Sequence, residues 1–294
     1  METATARESA KKNVHGLVND RIIELLEGGI VPWRSAWMEA GIPTSLISKR
    51  AFRGMNILLL ASLGYKQNLF LTSKQLETLG GSIKPNKKPH MIVFWGGDQQ
   101  AEGTVVPKPG KLQYYSVYNV SQCVGIPEET IATCAVTLPT GIQACEELVA
   151  KMLNGATIRH KEPEAFYDPL EDCINMPKPK SFAHPESYYS ALFHQLAHST
   201  GHHTRLDRMG LVQMPEYGCN RYTLEELVAE IVTNCLENLT GIPSSFIPDD
   251  VYIDNWIQKL KGDPYLIFTA CSQAQKAVDF IMNIQTVKEE PIQE

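Results

Sequence analysis

His194 and His198 are four residues apart in the stretch His194-Gln195-Leu196-Ala197-His198. On a helix that spacing puts both rings on one face, one turn apart, where they can reach the same metal ion. Zinc peptidase helices use this spacing with a Glu directly after the first His, and that Glu takes a proton from the metal-bound water. Here the position is Gln195. An amide orients water but cannot take its proton at neutral pH. The stretch therefore describes a metallopeptidase-type site whose general-base position has been damaged, engineered or repurposed.

Two histidines need a third protein ligand. A third His six residues after His198 would complete one known arrangement, but that position is Thr204, although Gly201 is in place. The other common solution is a Glu on a following helix. LEELVAEI supplies it, with Glu226 and Glu230 on a shared face and Glu225 turned away. Glu226 is the expected ligand. Glu230 would then accept a hydrogen bond from the Nδ1–H of a ligand His, and the reverse assignment stays open. An H-x-x-x-H pair alone is common by chance, and an E-E-x-x-x-E run alone is a solvated helix face. Their order, on two amphipathic helices, points to one zinc ion. His202 and His203 are further ligand candidates that follow Gly201, past the helix end. His184 and His160 read as structural or exposed.

A second chemistry lies in the first half. Trp33, Arg34, Trp37, Arg53, Asn56, Phe70, Lys84, Lys87, Lys88, Tyr115 and Tyr118 interleave aromatic, polar and basic side chains. Single-stranded nucleic acid is held by a cationic groove for phosphates and by aromatic faces for stacked bases. Charge agrees with this. Residues 1–127 carry 15 Lys/Arg against 9 Asp/Glu, a net of +6, and the remainder carries 12 against 24, a net of −12. A basic half joined to an acidic half suggests a polyanion-binding module beside something else. Phe94, Trp95 and about half of the tyrosines are better read as core.

These residues need elements to position them. The 294 residues suggest two domains. Apolar content of 43% is ordinary for a globular chain, and no run approaches a membrane span. The polar stretch METATARESAKKN lacks the apolar core of a secretory signal. The seven cysteines are scattered, odd in number and without a C-x-x-C pair, so reduced thiols and a cytoplasmic setting are expected.

Helical periodicity predicts helices over 14–29, 55–63 and 72–79, and β-rich runs over 91–95 and 112–120. Pro and Thr break the pattern around 126–141. The spacing then predicts a helix over 142–153, short strands within 157–176 with a hairpin at Asp168-Pro169, and the histidine helix over 185–200 with Pro185 at its start. A further helix is expected over 222–238 with Thr223 as N-cap, and a last one over 264–284. The fold class is α+β, with an N-terminal domain over 1–127, a linker over 128–141 and a second domain over 142–294.

EGGIVPWRSAW, FRGMNILLL, LTSKQLETLGG, YYSVYNVSQ, YYSALFHQLAHSTGH and YTLEELVAEI occur in the order seen in ArdC-type antirestriction proteins. From about residue 14 to 284 the chain resembles that family. The resemblance implies an N-terminal domain that binds single-stranded DNA and a C-terminal zincin-like metallopeptidase domain. It also implies protection of incoming plasmid DNA from host restriction during conjugation, with a host restriction enzyme or another protein as partner, and no membrane. It places metal ligands at His194 and His198 with the third at Glu226 or Glu230, and the general base at Gln195, where this chain departs from the family's Glu. Phe70 stands where the family usually has Trp.

Overall fold

The computed structural model describes residues 14–96, 111–134, 139–208, 220–244 and 248–285. The polar N-terminus, the connection at 97–110, residues 135–138 of the expected junction and Cys219 lie outside the described residues, as does the side chain of Trp95.

Helix α1, Val14–Glu27, buries Val18, Ile22, Leu25 and Leu26 at helical spacing. Gly29, at φ 76°, ends it. Its N–H donates to the Leu26 carbonyl at 2.9 Å and that of Ile30 to Leu25 at 2.8 Å, the paired bonds of a left-handed helix stop. A 3₁₀ turn, Pro32–Arg34, follows. Strand β1, Thr44–Ser45, precedes α2, Met55–Ala61, and β2, Leu69–Leu71, precedes α3, Ser73–Thr78. Thr72 and Gln75 form a reciprocal capping box at the start of α3.

After β3, Ser82–Ile83, come the long strands β4, His90–Gly96, and β5, Lys111–Asn119. They pair antiparallel, with Ile92 opposite Tyr115. The main sheet has the order β1-β2-β5-β4. Strand β6, Cys123–Val124, pairs with β3, and the short helix α4, Glu128–Ala132, lies at the expected junction.

The second half opens with α5, Ile142–Lys151. Strands β7, Thr157–Arg159, β8, Phe166–Asp168, and β9, Cys173–Asn175, form a sheet of order β7-β9-β8. β8 and β9 are the expected hairpin, with Asp168 opposite Cys173. Four helices follow: α6, Pro185–Ser199; α7, Asn220–Thr240; α8, Asp250–Gly262; and α9, Leu266–Ile281.

Two expectations change. Helix α7 starts at Asn220, so Thr223 lies within its first turn and is not an N-cap. Helix α8 is absent from the sequence reading, because charged residues interrupt its apolar pattern. It is set by Asp249, whose side chain accepts from the Tyr252 N–H at 2.8 Å, and by buried Trp256, Ile257 and Leu260.

The largest apolar cluster does not stop at the junction. It joins Val18, Ile22, Trp33 and Leu58 to Phe193, Leu227, Val232, Ile267 and Ala274. A polar clamp then fixes the end of α6. Arg205 donates from Nε to the Ser199 carbonyl at 2.7 Å, from Nη1 to Asp172 at 3.0 Å and from Nη2 to the Tyr167 hydroxyl at 3.2 Å. The histidine helix is thus tied to the β8–β9 turn.

Candidate metal centre

Pro185 occupies the first turn of α6, where its missing N–H costs nothing. Leu192, Phe193, Leu196 and Ala197 turn into the core, leaving His194 and His198 on a half-open face. On α7, Leu227, Val228, Val232 and Leu236 are buried, which sets Glu226 towards α6. The two helices run antiparallel: His198 meets Glu225 near the start of α7, and Ser190 meets Glu237 near its end.

The Nε2 atoms of His194 and His198 are 3.1 Å apart. Glu226 places Oε2 3.5 Å from His194 Nε2 and Oε1 3.5 Å from His198 Nε2. His194, His198 and Glu226 are the one group of metal-ligating side chains whose donor atoms converge among the described residues, all within 4.8 Å of one another. Tetrahedral zinc with bonds of 2.0–2.2 Å separates its donors by about 3.4 Å, so the spacing fits such an ion.

The tautomer of His198 fits too. Glu225 Oε1 lies 3.2 Å from His198 Nδ1. A carboxylate there requires N–H on Nδ1, which leaves the Nε2 lone pair facing His194 and Glu226. Glu225 is itself fixed by Arg208, from Nε at 2.8 Å and from Nη2 at 2.6 Å. Arg208 also donates to the Ala197 carbonyl at 2.8 Å and to Thr200 Oγ1 at 2.7 Å. Burial pushes the Glu225 carboxyl up, but hydrogen bonds from Arg208 and His198 outweigh it and hold the group below the usual carboxylate range. Glu226 behaves alike: burial raises it, and the neighbouring His194 and His198 bring it below its ordinary value.

The expected role of Glu230 is not what the geometry shows. Its Oε2 accepts from Trp33 Nε1 at 3.0 Å and from the Tyr252 hydroxyl, and lies 3.5 Å from Arg34 Nη2. It is one turn along α7 from Glu226, beneath the Pro32–Arg34 turn and away from the histidines. Glu225, expected to turn away, faces His198 instead. Adjacent helix positions point about 100° apart, enough for one to face the ion and the other to support a ligand from the side. Sequence reasoning misses Arg208 altogether, since nothing local marks it. His202 bonds Thr204 Oγ1 at 2.8 Å and lies 3.9 Å from Asp172, outside the ligand group. Gln195 is half-buried beside His194 on α6.

The first half's candidates divide sharply. Trp33 and Phe70 are 0% exposed and Trp37 2%, so none offers a face to a base. Phe70 meets Phe52 and Tyr65 edge-on at 6.3 and 6.1 Å. Buried Asn56 exchanges two 2.8 Å hydrogen bonds with the backbone of Val93, stitching α2 to β4. Arg34 turns to Glu230, and Arg53 pairs with Asp279 on α9. Lys87 and Lys88 are exposed, and half-buried Lys84 donates to the Ser121 carbonyl at 2.8 Å. Tyr115 and Tyr118 are half-buried, and the Tyr115 hydroxyl donates to Gln113 at 2.9 Å. Tyr114, 55% exposed on β5, presents more open aromatic surface than either.

The N-terminal fold and the histidine site define a two-domain protein with a zincin-like second domain. Residues 12–120 match the N-terminal domain of anti-restriction factor ArdC, and residues 143–273 match the zincin-like metallopeptidase family. The antirestriction protein ArdC of plasmid R388 has been solved with Mn(II) and metal-free. The Mn(II) structure is 32% identical with a TM-score of 0.77, covering 92% of this chain and 97% of that one. The metal-free structure is 33% identical with a TM-score of 0.75, covering 93% and 99%. The chain belongs to the ArdC antirestriction family. Two Escherichia coli proteins named DNA primase TraC are 31% and 26% identical over 92% of this chain. The chain spans 27% and 20% of their lengths. Among the described residues no helix is long and apolar enough to cross a membrane.

Proposed function

We propose that this chain binds single-stranded DNA, shields incoming plasmid DNA from host restriction in the cytoplasm, and carries one zinc ion at His194, His198 and Glu226. The observation that carries the metal reading is the convergence of those three donor groups from α6 and α7. Two imidazoles and a carboxylate are a common zinc set. The Mn(II) form of R388 ArdC supports a divalent ion in this family.

A bound zinc lowers the pKa of its water to about 7 and polarises a carbonyl. The side chains around it decide whether a peptide is cut. Glu225 and Arg208 hold the His198 ring. Gln195 offers an amide NH2 that donates and a carbonyl oxygen that accepts, which hold a water or a peptide carbonyl but move no proton. The reading is therefore a site that binds and does not cut. An active, DNA-tethered protease cleaving a protein partner would require Glu at that position.

For DNA, the support is the match to the ArdC N-terminal domain, the +6 charge of residues 1–127, and the exposed Lys87, Lys88 and Tyr114 together with the half-buried Lys84, Tyr115 and Tyr118. The relatives named DNA primase agree with a role on DNA. The test is a gel-shift salt series with the full chain on single and double strands, beside metal analysis of the same preparation. Preferential single-strand binding and about one zinc per chain support the reading. Duplex preference at every salt concentration, or no metal after zinc supplementation, removes the corresponding half of it.

A further inference from the structure

We infer that Trp33 and Tyr252 are positioning residues for the metal centre: through Glu230 they fix α7, and so set how tightly His194, His198 and Glu226 hold metal. The inference rests on the metal reading above and adds two parts to the site, Trp33 from the first domain and Tyr252 from α8 of the second.

Glu230 is a buried carboxylate, and a buried charge is tolerated only when paired and hydrogen-bonded. Its partners come from two elements outside the metal helices. The Trp33 indole N–H is shared between Glu230 Oε2 and the Tyr252 hydroxyl, at 3.0 Å each. The Tyr252 hydroxyl donates to the same carboxylate oxygen, and Arg34 lies 3.5 Å from it. Trp33 is fully buried and meets Trp256 of α8 edge-on at 5.5 Å. The turn that carries it is thus seated in the second domain.

The same segment grips α7 a second time. The Trp37 N–H donates to Asn238 Oδ1 at 2.6 Å, and Asn238 Nδ2 donates to the Ser35 carbonyl at 3.2 Å. Residues 33–37 therefore hold α7 at Glu230 and again two turns on. Helix α7 is 21 residues long. It carries the ligand Glu226 one turn before Glu230, and Glu225, the partner of His198, beside it. A slide or rotation of α7 moves both carboxylates relative to α6. Ligand constellations work only when held within about 0.5 Å. Non-directional apolar packing alone would fix that position less sharply than hydrogen bonds converging on one oxygen.

The test is a metal titration of the full chain, zinc competed against a chromophoric chelator, together with thermal melts of the metal-free protein. The variants are Trp33→Phe, Tyr252→Phe and their combination, with Tyr265→Phe, an exposed tyrosine away from both sites, as control. Each single change removes a donor and keeps an aromatic ring. Both are expected to weaken zinc about 2- to 30-fold, the range for changes that touch no ligand. The combination should cost less than the product, because both donors serve one oxygen. A purely structural role would lower the melting temperature and leave zinc affinity at the wild-type value, and that result overturns the inference. Tyr252→Phe is the milder change and decides the matter should Trp33→Phe fail to fold. If the wild-type chain binds no zinc, the metal reading falls first and takes the inference with it. If wild type binds zinc and the variants match it, only the inference falls.

Discussion

At the residue scale the site turns on one amide and one supported imidazole. Gln195, at the position proposed for a general base, has the size of Glu and lacks its basicity, and losing such a base costs about 10²–10⁴-fold in rate. The chain is expected to cleave no protein partner at an ordinary enzymatic rate, and Gln195→Glu is the change that would restore any latent peptidase activity. A protease assay on both forms with zinc checks this. Zinc-dependent cleavage by the Gln195 form refutes it, and silence from both marks a metal-bearing scaffold. Ligand and support should also separate by size of effect. Glu226→Ala should remove a bond to the metal and abolish tight binding. Glu225→Ala should weaken binding about 10–100-fold, as expected for a partner of a ligand His. Equal effects at the two positions would contradict the geometry.

Asp172 gives the pH dependence of the clamp behind α6. Hydrogen bonds from Arg205 pull its carboxyl below the ordinary value, against the smaller effect of burial. The contribution of a depressed carboxyl is complete above its unfolded pKa, about 3.9, and is lost as pH falls through the lower folded value. Asp172→Asn should therefore melt lower than wild type at neutral pH, with the gap closing in acid. A gap that widens on acidification would assign the clamp another cause.

At the scale of elements, helical and alternating periods in the sequence locate α1, α5, α6, α9 and the β4–β5 pair, because each buries one regular stripe. The histidine pair is readable for the same reason, since its chemistry lies within one helix. Glu226 is readable as an acid on the next amphipathic helix. The hidden parts depend on contacts between distant segments. Glu230 shares a helix face with Glu226, but tertiary packing captures it with Trp33, 197 residues away. Trp33 and Trp37 sit near Pro32 in a stretch without period, which reads as open loop. They are buried because α7, α8 and α9 supply the groove. Trp37→Ala is accordingly expected to cost about 3–5 kcal/mol in stability. Lys88→Ala should leave the melt unchanged and lower the salt slope of single-strand binding by about 0.7, the share of one phosphate. Reversed phenotypes in a melt and a salt-dependent binding assay would return the tryptophan to the DNA surface.

At the scale of the whole molecule, the basic and acidic halves are not separate bodies joined by a thread. One apolar cluster spans both, and two arginines expected on DNA are turned to carboxylates of the second half, Arg34 to Glu230 and Arg53 to Asp279. Ordering of the first domain is therefore expected to steady α7 as well, on which the proposed metal ligand lies. Ordering by one ligand lowers the entropy cost of the next, so DNA and metal should assist one another. Linkage requires the two effects to be the same factor. Zinc should raise the affinity of the full chain for an oligothymidylate by about fivefold or more, and the oligonucleotide should raise zinc affinity equally. Anisotropy of a labelled strand with and without zinc gives one number, and chelator competition with and without the strand gives the other. In Tyr252→Phe both factors should fall towards one, because the hydrogen bond from Trp33 to Tyr252, which joins the domains, is lost. If single-stranded DNA binds and zinc binds, yet each ignores the other in the wild-type chain, the two domains share a core without sharing a ligand response, and the coupling through α7 is wrong.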